Sequence, residues 1–519
     1  MKIKCYFNII LYVFFGLYTS QFVFSQKTKP NILFAICDDV SYLHTGYGGS
    51  PFVNSPTFDK IAEEGIYFSN FYVASPGCAP SRGSIVTGRY PWQNEQSGQH
   101  GSSWMKKYVP LADELQANGY KVGMTGKGVS PFRYAKNKSE ETLWRKENAA
   151  GPEYNKIHYS KEHDERTTTK ISSKNYFENF KTFMKGKKEH QPFFFWYGAH
   201  EAHRGYEKDS WKRTNKQLKD VTVPAFLPDN GVVRGDLLDY AVEIEWFDAQ
   251  LQRMLTYLKS KGELENTIVI VTADNGMPFP RAKANCYDYG VHVPFVVSYP
   301  KEFQKNKTIK TPLGAVDLAP TILEMTQTTP TKMQSITGSS FLKVLKGEKE
   351  LNTNNAVFSG RERHTSARYN NLGYPQRSIR KKEYLLIWNI SPERWPAGAP
   401  VSYKSKEDKK LVKNVFADID GSPTKSYILK NKEADEVSYY FDISCEKRPE
   451  FELYNLEKDT SCLTNLSGTK EYQHVEKALK QELMQELIKT KDPRVVGPTK
   501  EIFENYKRYS SIRYFPKVN

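Results

Sequence analysis

Three things are scarce in this chain. Cysteine occurs six times in 519 residues, and no group of them has the spacing of a zinc module. There is no basic zipper and no basic repeat interleaved with aromatics either, so a nucleic-acid-binding module is excluded. Long apolar runs are missing after the first 25 residues, which argues against stable membrane insertion beyond that point. Acidic side chains are outnumbered, with 59 Asp and Glu against 75 Lys and Arg. The net charge of +16 becomes +14 once Lys2 and Lys4 are set aside. A surplus of that sign steers polyanions toward the surface. Lysine stretches such as Lys185-Gly186-Lys187-Lys188 and Lys404-Ser405-Lys406 equally suit an ordinary solvated face. No internal repeat is evident.

What is present begins with Lys2 and Lys4, an apolar run from Tyr6 to Tyr18, and Val23-Phe24-Ser25, the pattern of a cleavable secretory signal over residues 1–25. The chain is therefore expected to be exported, to the periplasm or beyond. For an exported protein the polyanion is an acidic polysaccharide rather than nucleic acid. With Cys5 in the leader, Cys37, Cys78, Cys286, Cys445 and Cys462 remain. An odd remainder leaves one thiol unpaired or modified, with Cys78 the candidate, and Cys445 and Cys462 could pair with each other.

Asn31 to Cys37 and Thr267 to Ala273 are short, almost continuously apolar runs, which is how strands buried on both faces read. Pro192 to Tyr197 and Val293 to Val297 are further apolar segments. Between them lie helical patterns at Phe58 to Glu64, Leu111 to Asn118 (stopped by Gly119) and Leu237 to Leu258, the last with Asp236 available as its cap. Strands alternating with helices imply an α/β fold on a mostly parallel sheet flanked by helices. After Leu345 the texture changes to short aromatic-rich runs, Tyr384 to Trp388 and Phe451 to Tyr454, and then a lysine-rich helix from about Lys470 to Lys489. This predicts a smaller C-terminal α+β subdomain on an antiparallel sheet. The boundaries are 26–350 and 351–519, and the polar stretch 140–173 reads as an insertion over the functional face.

Both strongly apolar strands stop at oxygen donors, Asp38-Asp39 and Asp274-Asn275. Ligands at the carboxyl ends of parallel strands share the crevice where open α/β sheets bind substrates. Four oxygen donors suit Ca²⁺, with Mg²⁺ possible, and not zinc. Either acidic pair alone more often makes a turn or helix cap. Cys78 stands just before Ala79-Pro80-Ser81-Arg82, where Pro80 fits a first helical turn, so unpaired backbone N–H groups and the positive dipole end face the cysteine, a setting that favours an anion.

The pattern Cys78-x-Pro80-Ser81-Arg82 resembles the maturation signal of the type I sulfatases, in which a formylglycine-generating enzyme oxidises the cysteine to an aldehyde. The resemblance extends over most of the chain, through Asn31 to Asp39, Ser55 to Ile61, Gly119 to Lys127, Asp317 to Thr321 and Glu452 to Leu456. Ala199 to Arg204, Met277 to Pro280 and Tyr374 to Ser378 are similar to the branch containing N-sulfoglucosamine sulfohydrolase and bacterial polysaccharide sulfatases. The resemblance implies an alkaline-phosphatase-like catalytic domain with formylglycine at Cys78 as nucleophile. It further implies Asp38, Asp39, Asp274 and Asn275, together with residue 78, around a divalent metal. Arg82 would orient the nucleophile, Lys127 and Lys283 would hold sulfate oxygens, and His200 would be the general acid, since imidazole can be protonated near neutral pH.

The chain departs from the family at Gly126-Lys127-Gly128-Val129, where many members carry a histidine two residues after the lysine. His100 is the replacement considered. His203, His364 and Arg377 are expected to contact the sugar beyond the sulfate, arginine being able to clamp a uronate carboxylate, although salt-bridged loops account for them equally well. The implied substrate is a sulfated polysaccharide or its oligosaccharides, an algal polymer such as ulvan being slightly favoured. A glycosaminoglycan N- or O-sulfatase, a phosphonate monoester or phosphodiester hydrolase and a non-catalytic binder of sulfated glycans are the alternatives.

Overall fold

The computed structural model describes residues 29–160, 164–401, 403–404, 411–412, 415–497 and 501–506. The leader assigned to residues 1–25 lies outside these. Among the described residues no helix is long and apolar enough to cross a membrane.

The architecture is an α/β one, a mostly parallel sheet flanked by helices with a separate antiparallel sheet toward the C-terminus. Seven strands form the main sheet in the order Lys121–Gly126, Phe193–Gly198, Asn31–Cys37, Thr267–Ala273, Phe295–Ser298, Ile66–Phe68 and Lys307–Ile309. The first four run parallel, and both central strands, Asn31–Cys37 and Thr267–Ala273, are buried along their whole length. Their apolar runs therefore need no polar alternation. The segment read as Val293 to Val297 is broken at Pro294, and Phe295–Ser298 lies antiparallel to Thr267–Ala273.

Register is what builds the functional edge. Cys37 pairs with Ala273, Ile36 with Gly198, and Gly126 with Gly198, so the four parallel strands finish level with one another. Their next residues are Asp38, Asp274, Lys127 and Ala199-His200. Gly126 and Gly198 permit this closeness, since a Cβ on Gly126 would stand 1.9 Å from the Gly198 carbonyl oxygen and one on Gly198 1.9 Å from that of Lys127. Gly126 also has φ +81°.

Helices cover both faces. Pro56–Glu64 and Leu111–Ala117 fall close to expectation, and a further helix, Tyr176–Lys185, follows the polar stretch 140–173. The long helix differs from its reading, running Gly231–Ser260 with Asn230 as the cap, whose side chain accepts from the backbone N–H of Val232 and Val233. Asp236 lies inside that helix, buried and paired with Arg204, and it accepts from the Thr424 backbone at 3.3 Å.

The C-terminal region adds four antiparallel strands, Ala356–Arg361, Gln376–Lys381, Tyr384–Asn389 and Phe451–Asn455. Leu479, Leu483 and Leu487 of the helix Gln473–Lys489 pack on Ile379, Leu386 and Leu453 of that sheet. Cys37, Cys78, Cys286, Cys445 and Cys462 are all buried and unpaired. Cys445 and Cys462 do not form the bridge that the sequence left open, because they belong to separate apolar clusters.

Candidate active site

Cys78 is the first residue of the helix Cys78–Thr87, whose every residue is buried, and Gly77 precedes it in extended backbone without any side-chain cap. The first-turn N–H groups thus point toward the sheet edge with the positive end of the helix dipole. The Cys78 sulfur lies 3.5 Å from Asp38 Oδ1 and 3.9 Å from Asp39 Oδ1. Asp39 takes φ +62°, a tight turn that lets consecutive carboxylates meet the same sulfur. Burial, and then the Asp38 charge, push the thiol well above its ordinary pKa, so the unmodified cysteine is held protonated.

The acids interlock. The Asp39 backbone N–H donates to Asp274 Oδ1 at 3.0 Å, and Asn275 Nδ2 donates to Asp39 Oδ1 at 2.7 Å. Arg82 Nε donates to Asp274 Oδ2 at 2.6 Å, while its Nη1 holds the carbonyl oxygens of Lys127 and Gly128 at 2.8 and 3.1 Å. Lys127 pairs with Asp38. Lys283 reaches Asp39 at 2.7 Å and Asp420 at 3.1 Å. Against the cost of burial, Lys127 and Arg82 hold Asp38 well below the usual carboxylate range, and Asp38 and Asp39 lift the Lys127 and Lys283 ammonium groups. Burial raises Asp39 and Asp274 to about 6 each.

These residues fit a hard divalent cation. Asp38, Asp39 and Cys78 offer ligand atoms within 4.8 Å of one another, and the side-chain oxygen of Asn275 is buried without a hydrogen-bond partner. An orphaned buried acceptor among three buried carboxylates, two of which burial raises, is what an oxygen-donor cation would satisfy.

Above this group opens a cavity of about 810 Å³, lined by Asp38, Lys127, Lys283, His200 and His203 among others. His203 Nδ1 donates to the Arg204 carbonyl oxygen, 2.6 Å away, since a carbonyl can only accept, so Nδ1 carries the proton there. His364 and His100 also line the cavity, their rings 4.5 Å apart. A Cβ added to Gly77 would meet His364 Nδ1 at 3.2 Å, which puts this imidazole pair against the cap of the Cys78 helix. His200 departs from the reading that it is protonated near neutral pH. Burial, then Lys174 and Lys127, lower it to about 3, and the Lys174 ammonium lies 3.1 Å from its Nε2.

Arg377 does not join the others. It is buried in the C-terminal sheet, where Nε donates to Asp492 Oδ2 at 2.5 Å, Nη2 to Glu362 Oε1 at 2.7 Å and Nη1 to the Gln376 carbonyl at 2.8 Å. No donor is left for a sugar.

Residues 30–328 match the sulfatase family, and residues 282–433 match the C-terminal region of N-sulphoglucosamine sulphohydrolase. The chain belongs to the sulfatase family. It is a sulfuric ester hydrolase. Among its relatives is an ulvan-active sulfatase of Formosa agariphila, 26% identical over 88% of this chain and 74% of that one. The human N-sulphoglucosamine sulphohydrolase is also 26% identical, over 91% of this chain and 93% of its own length. A solved structure described as in complex with its substrate D-glucosamine-2-N,6-O-disulfate shares the fold at a TM-score of 0.60 and 18% identity, covering 91% of this chain and 100% of that one.

Two partners in this sulfatase's site went unread. Asp420 steadies Lys283 from the C-terminal region, and Lys174 steadies His200 from the polar stretch before the helix Tyr176–Lys185. Asp418-Ile419-Asp420 stands ahead of the Pro-started helix Pro423–Lys430, a pattern that only suggests a turn.

Proposed function

We propose that this sulfatase is exported, matures by conversion of Cys78 to formylglycine, and removes sulfate esters from a sulfated polysaccharide or its oligosaccharides, with an algal polymer of the ulvan type ahead of glycosaminoglycans. The arrangement of Cys78 over Asp38 and Asp39, with two lysines beside it, carries this reading. The ulvan-active and N-sulphoglucosamine relatives and the basic surface support the substrate class. We take residues 26–350 as the catalytic unit and 351–519 as the C-terminal subdomain, since the last strand of the main sheet ends at Ile309 and the antiparallel sheet begins at Ala356.

Asp38, Asp39, Asp274 and Asn275, with the side chain at 78, would hold Ca²⁺ or Mg²⁺. When bound, the cation would supply Lewis-acid polarisation and the aldehyde hydrate an oxygen nucleophile. The chain's own groups do the rest. Each lysine ammonium has three hydrogens, of which Lys127 uses one on Asp38 and Lys283 two on Asp39 and Asp420, so both retain a donor for a sulfate oxygen. Arg82 keeps Asp274 and the Lys127–Gly128 backbone in register with the helix start. His200 is assigned the delivery of a proton to the leaving oxygen: burial, then Lys174 and Lys127, keep it neutral in the free site, and a sulfate ester lying on Lys127 offsets the last of these. His100, its ring tilted against that of His364, which lies at the Gly77 cap, is the base for a proton released beside residue 78.

The test pairs an aryl sulfate with an aryl phosphodiester, then runs defined sulfated oligosaccharides and identifies the desulfated product. Sulfate release from carbohydrate is expected. Dominant phosphodiester turnover would overturn the reading.

A further inference from the structure

Most cations around the cavity have a carboxylate. Lys127 meets Asp38, Lys283 meets Asp39 and Asp420, Arg133 meets Glu140 and Arg204 meets Asp236. Among the described residues, Lys174 and Lys170 face the same cavity without an ion-pair partner. Lys174 is half-buried and its ammonium touches a neutral imidazole, His200 Nε2 at 3.1 Å, while Lys170 is exposed at the mouth. A half-buried ammonium aimed into a cavity with no carboxylate at ion-pair distance is one that an anionic ligand would complete.

Lys174 is also held in place. Two residues before it, the Ser172 backbone N–H donates to Glu201 Oε1 at 2.8 Å, and two residues after it, the Tyr176 hydroxyl donates to Glu201 Oε2 at 2.8 Å. The His200 backbone N–H closes the loop by donating to the Tyr176 hydroxyl at 3.1 Å. The segment is clamped at both sides of Lys174 by one buried carboxylate, so its ammonium is presented rather than trailing in solvent.

We infer that Lys174, with Lys170 beyond it, is a second anion subsite that selects saccharides carrying a carboxylate or another sulfate besides the sulfate ester being cleaved. This rests on the sulfatase reading above and names the substrate feature its site selects. The cavity's volume of about 810 Å³ falls in the range that takes a ligand larger than one sugar. An anion on Lys174 also offsets the first of the charges that keep His200 neutral.

The test is a selectivity ratio: kcat/KM on a sulfated oligosaccharide bearing a uronate, on one bearing a second sulfate, and on one with neutral neighbours. The saccharide with neutral neighbours, whose leaving oxygen needs a proton, serves as the reference for chemistry passing through His200, and an aryl sulfate as the reference for sulfate release that needs none. In Lys174→Met the ratio of anionic to neutral saccharide falls about ten- to hundredfold, the scale of one charge-assisted hydrogen bond. Lys174→Arg restores most of it, and Lys170→Ala lowers it severalfold. Whichever of the two anionic substrates shows the drop identifies the group. An unchanged ratio in Lys174→Met, even with turnover reduced equally on the three saccharides and spared on the aryl sulfate, overturns the subsite and leaves Lys174 as a positioning residue for His200. Absence of aryl sulfate turnover in the unsubstituted protein would instead refute the sulfatase reading.

Discussion

Arg82 and Arg377 are both fully buried arginines gripped by acids, yet one stands in the active site and the other in the frame. Arg377 has Asp492, Glu362 and the Gln376 carbonyl as partners and lies over the Trp92 ring, with every nitrogen engaged. Arg82 has Asp274 and two carbonyls, but its Nη2 has no hydrogen-bond partner and approaches Asp38 only to 3.8 Å. Beside it, the Ser81 hydroxyl and the Asn275 side-chain oxygen are also buried and unsatisfied. Burial and charge are common to both places. Arg377 itself has nothing left to give, whereas at Arg82 unspent hydrogen-bonding capacity stands beside the Cys78 sulfur and the oxygen donors, which suits a site that a cation and a sulfate complete.

The largest effect expected is at Cys78. Cys78→Ser should lower kcat on any sulfate ester by about a millionfold, the scale of losing a nucleophile, with little change in the melting temperature. His200→Ala comes next, with a kcat loss of about a hundred- to ten-thousandfold on a sugar sulfate and much less on nitrophenyl sulfate, whose leaving group needs no proton. Equal losses on the two substrates would remove His200 from the leaving-group side. The arginines themselves supply the sharpest contrast. Arg82→Lys should cost about a hundred- to a thousandfold in kcat, because it removes oriented donors from the reaction centre. Arg377→Met should cost about 3–5 kcal/mol in urea unfolding by leaving the buried Asp492 without its ion partner, Glu362 keeping Arg494, while the folded fraction keeps its kcat/KM. If Arg377→Met altered substrate preference instead, the comparison would fail.

Cation binding gives a smaller shift. Calcium at a hundred times its Kd should stabilise the protein by about 2.7 kcal/mol, and Asn275→Leu should diminish that gain. The mildest effect lies at Asp317, outside both regions, where burial raises the carboxyl to about 7 although the Ser339 backbone N–H donates to it at 2.7 Å. Its folded pKa exceeds the unfolded one, so the folded state binds the extra proton, and the stability it contributes is present in acid and lost as pH rises from about 4 to 7. Asp317→Asn should flatten that part of the stability–pH curve measured by urea unfolding.

Much of this was readable in the residues. The strands Asn31–Cys37 and Thr267–Ala273 stand where unbroken apolar runs put them, because a strand buried on both faces has no polar side to blur its ends. The oxygen donors after them and the helix start at Cys78 follow from local chemistry. The first turns of Gly231–Ser260 were not legible, since Gly231, Val232, Val233 and Gly235 are weak helix formers, and the Asn230 cap with tertiary packing overrides them. Arg377 shows the deeper limit. Its charge is plain in the sequence, but Asp492, which occupies it, is remote along the chain. Lys174 and Asp420 were missed for the converse reason: each is an ordinary charged residue until the fold sets it beside His200 or Lys283.

Everything assigned to the active site depends on the side chain at 78 acting as an oxidised carbon centre above the carboxylates. The direct measurement is mass spectrometry of the peptide containing residue 78, in preparations matured to different extents, set against their rates of sulfate release. The rate should rise in proportion to the fraction carrying aldehyde, from essentially zero in thiol-only protein. Full desulfating activity with the thiol intact would contradict the account.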